Sequence, residues 1–201
     1  FALRNADQRI FADGVYRMAG AQSIDLKIER LDLGELQRLV DYEPVPNLDG
    51  TIGLAVELRG TTEAPDVDLS FDATEVTAMS YGPLTASLRA GSDGSDVQLE
   101  SLTATLFGQP LLEANASVPV SWDLMGNAAF RAEENIQAHA ELKAVQFHDI
   151  RENVSQVASL PITGQVSGVF DFDGTIDKPS FDTTLEVTDV SRPVRPDDPV
   201  R

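Results

Sequence analysis

Residues Gly50 to Asp72 read GTIGLAVELRGTTEAPDVDLSFD, and residues Gly164 to Glu186 read GQVSGVFDFDGTIDKPSFDTTLE. Each stretch is an alternating strand, a Gly-Thr-x-x-x-Pro turn and a second alternating strand, the pattern of a β-hairpin inside a repeated sheet. In the first copy Ile52, Leu54, Val56 and Leu58 share one side of the outgoing strand, and Val67, Leu69 and Phe71 share one side of the returning strand. Side chains alternate with a period of two, so Gly53, Ala55, Glu57, Asp66, Asp68, Ser70 and Asp72 face the other way. The turn residues Gly60, Thr61 and Pro65 fix the register, and a slip of one residue would exchange the two faces. The second copy sets Val166, Phe170 and Phe172 against Phe181, Leu185 and Val187, with Gly174, Thr175 and Pro179 at its turn.

The copies align without a gap. Gly50 falls on Gly164, Gly60 on Gly174, Thr61 on Thr175 and Pro65 on Pro179, all at an offset of 114 residues. The match extends upstream, where LKIERLDLGEL (Leu26 to Leu36) lies over AELKAVQFHDI (Ala140 to Ile150), so the unit is strand, short helix, hairpin. This divides the chain into a part-strand region over 1–22, a first repeat unit over 23–137, a second, partial unit on the same sheet over 138–190, and a Pro-rich linker or tail over 191–201. Such a chain reads as a slice of a longer array.

The connecting segments follow the same grammar. Ile10 to Arg17 is a first strand, broken at Asp13-Gly14, and Ile24, Leu26 and Ile28 mark a half-buried strand. Leu33 to Val40 has helical spacing with Asp32 placed as N-cap, and the prolines after Tyr42 end it. Phe147 to Val157 predicts a second helix. After Val97 and Leu99 the apolar phase moves to Leu102, Ala104 and Leu106, which a β-bulge at Glu100-Ser101 would produce. Leu112 to Val120 reads as one long strand whose end, at Pro119, lies at a sheet edge, and Trp122 to Gly126 reads as a connection. The fold class is mainly β: a long antiparallel or mixed sheet with two short α-helices.

The net charge is -18, from 33 acidic and 15 basic side chains. A surface of that sign is a poor partner for nucleic acid, whose phosphates need Lys and Arg, and an anionic bilayer surface repels it. No apolar run approaches the roughly 20 residues a membrane-spanning helix needs. The absence of cysteine excludes disulfides, thiolate zinc sites and cysteine nucleophiles. His139 and His148 lie nine residues apart without metal-site spacing, and Asp66/Asp68 and Asp171/Asp173 fall on wet strand faces as solubilising charge. Asp93 to Asp96 has too few ligands for a calcium loop and reads as a hairpin turn. With no nucleophile elbow, phosphate loop or dinucleotide fingerprint, the expectation is a binding or structural unit, neither an enzyme nor a cofactor carrier.

The stretches LDGTIGLAVELRGTTEAPDVDLSFDATEV and ITGQVSGVFDFDGTIDKPSFDTTLEVTDV resemble the TamB and AsmA-like family of Gram-negative envelope proteins. The likeness rests on the pattern G-x-h-x-h-x-h-x-G-T-x-x-x-P-x-h-x-h, with h apolar, preceded by a short helix. It covers roughly Ile24 to Thr77 and Ala138 to Val190. The resemblance implies a sheet curled into an apolar trough, the taco shape of that family, in the periplasm and within a parent protein anchored in the inner membrane. It implies a part in outer-membrane biogenesis: carriage of phospholipid acyl chains between membranes, or assembly of β-barrel clients through their apolar strands, with a TamA-like outer-membrane barrel as partner. The residues expected to line the trough are Ile52, Leu54, Val56, Leu58, Leu69, Phe71, Val166, Phe170, Phe172 and Leu185. The same ten suit an ordinary core, so a closed structural or adhesive spacer stands beside the trough. A carbohydrate-binding repeat ranks lower, because Tyr16, Tyr42, Tyr81 and Trp122 are scattered.

Overall fold

The structure is a computed structural model and describes residues 2–5, 8–17, 20–39, 45–79, 81–148 and 163–191. The described residues form thirteen strands: β1 Ala2–Asn5, β2 Gln8–Val15, β3 Gln22–Asp32, β4 Asp49–Gly60, β5 Pro65–Ala78, β6 Tyr81–Ser92, β7 Val97–Leu106, β8 Gln109–Val118, β9 Val120–Trp122, β10 Ala128–Phe130, β11 Ile136–Gln146, β12 Thr163–Gly174 and β13 Pro179–Ser191. Eleven of them make one open antiparallel sheet in chain order, β1 to β8 and then β11 to β13. β9 and β10 pair only with each other, as a hairpin inserted between β8 and β11.

The internal repeat is structural as well as sequential. β3, β4 and β5 recur as β11, β12 and β13, with first residues Gln22 and Ile136, Asp49 and Thr163, Pro65 and Pro179. The irregularities recur too. β3 and β4 slip register between Ile28 and Leu31, and β11 and β12 slip between Leu142 and Val145, the same positions one repeat later. Glu75 in β5 and Asp189 in β13 both adopt left-handed backbone, at φ 51° and 55°.

Both turns close in the same way. Gly60 pairs with Pro65 and Gly174 with Pro179; Ala64 N donates to Thr61 Oγ1 at 3.1 Å, and Lys178 N donates to Thr175 Oγ1 at 3.2 Å. Gly60 has φ 87° and Gly174 φ 138°, and a Cβ on either would collide with the carbonyl oxygen of Ala64 or Lys178. Only glycine is free of that penalty.

Helix α1, Leu33–Leu39, begins where expected: Glu35 N donates to Asp32 Oδ1 at 2.7 Å, the N-cap bond. It packs chiefly on β3 and β4. Of the second expected helix, Phe147 and His148 are helical and 149–162 lie outside the described residues, as do 192–201 of the expected tail. Glu100 is skipped in the β6–β7 register, which runs from Arg89↔Ser101 to Ala90↔Leu99, so the bulge stands where the change of phase put it.

Two expectations fail. β2 is not broken at Asp13-Gly14 but continues through both, paired with Asp25 and Ile24. Gly14 is there because β3 comes too close for a side chain, a Cβ meeting Ser23 O at 2.5 Å, and not because the chain turns. Nor does the strand from Leu112 reach Val120. Pro119 has no N–H to give the ladder, is itself buried, and turns the chain out of the main sheet into β9.

The inserted hairpin ties the strand ends together. Trp122 N donates to Gly94 O at 3.2 Å and its Nε1 to Ser92 Oγ at 2.6 Å, while Leu124 N donates to Thr62 O at 2.9 Å. Arg131 reaches Ser95 O at 2.7 Å and pairs with Asp96. In the β6–β7 turn, the Asp93 carboxylate accepts from Ser95 Oγ at 2.6 Å, Ser95 N at 2.9 Å and Asp96 N at 3.0 Å. Those donors, the Ser95 hydroxyl first, hold its pKa down to about 2.

Gly60→Val is expected to lower stability by about 1–3 kcal/mol in urea unfolding. Gly53→Ala, at an ordinary extended position with its nearest neighbour at 3.6 Å, should change it by less than about 0.5 kcal/mol. Asp93 is a carboxylate with a lowered folded pKa, so its turn contributes stability above its unfolded pKa of about 3.9 and loses it as pH falls toward 2. The gap in Tm between the parent chain and Asp93→Ala should therefore be constant above about pH 5 and shrink between pH 4 and 2.

Candidate functional site: an uncovered apolar sheet face

The register places the apolar side chains in continuous rows that cross the sheet. One row runs Ile10, Ile28, Leu54, Phe71, Leu88, Leu102, Ala114, Ala140, Phe170, Thr183, each residue directly opposite the next on ten successive strands. A second runs Ala12, Leu26, Val56, Leu69, Ala90, Leu99, Ala116, Ala138, Phe172, Phe181 without one polar member. Ile52 pairs with Ala73 in a third row that ends at Gly168 and Leu185, Leu58 pairs with Val67, and Val166 pairs with Val187. All ten residues expected to line an apolar surface thus share one face of one sheet.

Among the described residues, little lies over that face. Contacts among the described elements run between ladder neighbours, and α1 reaches chiefly β3 and β4. Ala73, 6% exposed, is the one apolar residue in the fully buried core among those described, apart from the prolines Pro65 and Pro119. Ile52, Leu54, Val56, Leu58, Leu69, Phe71, Val166 and Phe172 are half-buried, whereas Phe170 and Leu185 are exposed. Phe172 and Phe181 meet edge to face with ring centroids 4.9 Å apart.

Side-chain size varies across the face. Bulky residues line β3 to β5 and return on β12 and β13, but Ala114, Ala116, Ala138 and Ala140 form a low strip along β8 and β11. The expected set omitted these alanines. They carry little hydrophobic signal one by one, and only the pairing of β8 with β11, across the inserted hairpin, brings them together.

The reverse face is wet and acidic. Asp25 lies directly opposite Glu57, and Arg59 clamps both, at 3.3 Å and 2.8 Å. Glu113 lies opposite Glu141, and Lys143 bridges them at 2.9 Å and 2.7 Å. The hydrogen bond to Glu141 and then that to Glu113 raise the Lys143 pKa. A hydrogen bond from Lys27, at 2.6 Å, lowers that of Glu29. His139 Nδ1 lies 2.6 Å from Asp171 Oδ1 on this same exposed face. No cluster of three or more metal-ligating side chains occurs among the described residues. The surface depressions near Lys27, Gly53 and Asp72 also lie on the wet side.

The scattered aromatics stay scattered. Trp122 is half-buried against Ser92 and Tyr16 is exposed beyond β2, while Tyr42 and the side chain of Tyr81 lie outside the described set. The Tyr16 and Trp122 side chains do not come together; the aromatics that do among the described residues are Phe170, Phe172 and Phe181. No helix of the described chain is long and apolar enough to cross a membrane.

Comparison with known proteins gives no match to a protein-family model, to a curated protein or to a solved structure.

Proposed function

We propose that the chain is a segment of a periplasmic groove protein of the TamB/AsmA-like type, and that its sheet curls so that the apolar face forms a trough for phospholipid acyl chains. The observation that carries this reading is the uninterrupted apolar face, with no second layer packed on it among the described residues. Domains ordinarily bury such a face against another layer, and a large apolar surface left open marks a place where something binds.

The dimensions suit an acyl chain. Eleven strands at about 4.8 Å make a face about 50 Å across. One leaflet of hydrocarbon is about 15 Å thick, half the bilayer core, so one acyl chain spans three or four strands. A chain leaving a bilayer exposes apolar surface at about 25 cal/mol per Å², and an unbroken row of Leu, Ala and Phe offsets that cost at every step. Apolar strands of β-barrel clients meet the same requirement. Shuttling between inner and outer membrane, attachment to the inner membrane and docking to a TamA-like barrel belong to the parent protein in this reading.

The test is photo-crosslinking in lipid extract with a benzophenone side chain at Leu54, Phe71 or Phe170, and matched controls at Glu57 and Asp68 on the wet face. Lipid adducts should form at the first three positions and be at least about tenfold fewer at the controls. Absence of adducts everywhere, with Leu54 and Phe71 protected from solvent, would leave a closed structural spacer in place of a trough.

A further inference from the structure

β5 and β13 hold the same place in the repeat, yet their outer edges differ. β5 carries β6 from Val67 to Ala78, whereas β13 has no ladder partner beyond it among the described residues. Equivalent positions record the difference. Ala73 is 6% exposed and Val187 48%; Phe71 is half-buried and Leu185 67% exposed; Val67 is half-buried and Phe181 63% exposed. Pro65 is fully buried, with the β6–β7 turn at Gly94 seated against it, and Pro179 is exposed. Each pair is apolar in both copies, so the exposure follows from the missing neighbour and not from a change of side-chain character.

β13 guards its edge with carboxylates alone, Asp182, Glu186 and Asp189, and not with the basic residues or prolines that blunt other edges. It runs for thirteen residues with no Lys, no Arg and no proline after Pro179. On its wet side Asp182 and Glu186 flank Thr184 and form no ion pair among the described residues. Their equivalents, Asp68 and Asp72, flank Ser70, and directly opposite Ser70 the neighbour β6 places Arg89, a cation between the two carboxylates that forms no close ion pair with either among the described residues. The left-handed residue that shifts the β5–β6 register, Glu75, has its counterpart already set at Asp189.

We propose that the free edge of β13 is an acceptor for a β6-type strand supplied by a further unit of this same repeat. The strand adds antiparallel in the register β6 uses on β5: its arginine opposite Thr184, its leucine opposite Leu185, its next alanine opposite Val187. Addition of a strand supplies backbone hydrogen bonds, covers Leu185 and Val187, and sets a cation between Asp182 and Glu186. This site is an edge, and its occupancy is independent of what the apolar face carries.

The chain has no cysteine, so one introduced thiol reports the register. A synthetic peptide of residues 81–92 carrying Leu88→Cys is incubated in a glutathione redox buffer with the full chain bearing Leu185→Cys, Phe181→Cys or Val187→Cys. A disulfide needs Cβ atoms about 4 Å apart, which a directly opposite pair approaches and a pair displaced by two residues does not. The mixed disulfide should form several-fold faster at Leu185→Cys than at the other two positions. Adding Glu186→Lys to that chain should slow it, and an Arg89→Glu peptide should restore the rate. Equal rates at all three positions, or no adduct at any, overturn the proposal. A disulfide-linked homodimer of the Leu185→Cys chain that suppresses the peptide adduct also overturns it, because the edge then belongs to a second copy.

Discussion

Everything in this molecule depends on strand register. Side chains alternate with a period of two, so a slip of one residue in an interior strand would break the apolar rows and turn polar side chains onto the apolar face in their place. The tight Gly-Thr-x-x-x-Pro turns set that register at Gly60 to Pro65 and again at Gly174 to Pro179. The bulges preserve it. In β7 the paired apolar residues step from Leu99 to Leu102, and in β5 from Ala73 to Val76, so a local irregularity bends the strand yet returns the next apolar residue to the same side.

A single layer with one apolar face leaves the usual account of folding incomplete. The interior strands shield each other's flanks, as Ala73 and Pro65 show beneath β6 and the β6–β7 turn, but nothing described shields the face from above. The same residues at β13 lose even the lateral shielding. In the reading proposed above, a ligand covers the face and a strand covers the edge, two requirements met by different chemistry.

Much of this was legible in the residues. The repeat, both hairpins, the Asp32 cap of α1 and the bulge at Glu100 each leave a local signature, either an alternation, a capping side chain or a turn glycine. Other features leave none. Gly14 reads as a turn because the sequence does not show that Ser23 O lies where its side chain would be. β9 and β10 are three residues each, too short for a period to register, and what holds them is the Asp123 carboxylate accepting from Met125 N and Asn127 N at 2.9 Å. Alternation also cannot distinguish a covered face from an open one. It fixes which side chains point together, and only the contacts of the folded chain report what, if anything, meets them.

The acidic reverse face follows from the same exposure. Two such sheets could stack through their wet sides, or fuse at their edges, unless something opposed it. Asp25 and Glu57, Glu113 and Glu141, and Asp171 and Asp182 sit as directly opposed like charges, an arrangement that costs stability across a strand pair. Arg59 and Lys143 each bridge one of these pairs from within the sheet, and His139 Nδ1 lies 2.6 Å from Asp171 Oδ1, which lets the face stay acidic without tearing the ladder. The carboxylates of this face repel other copies from behind, while the apolar rows across the sheet carry no charged side chain among the described residues.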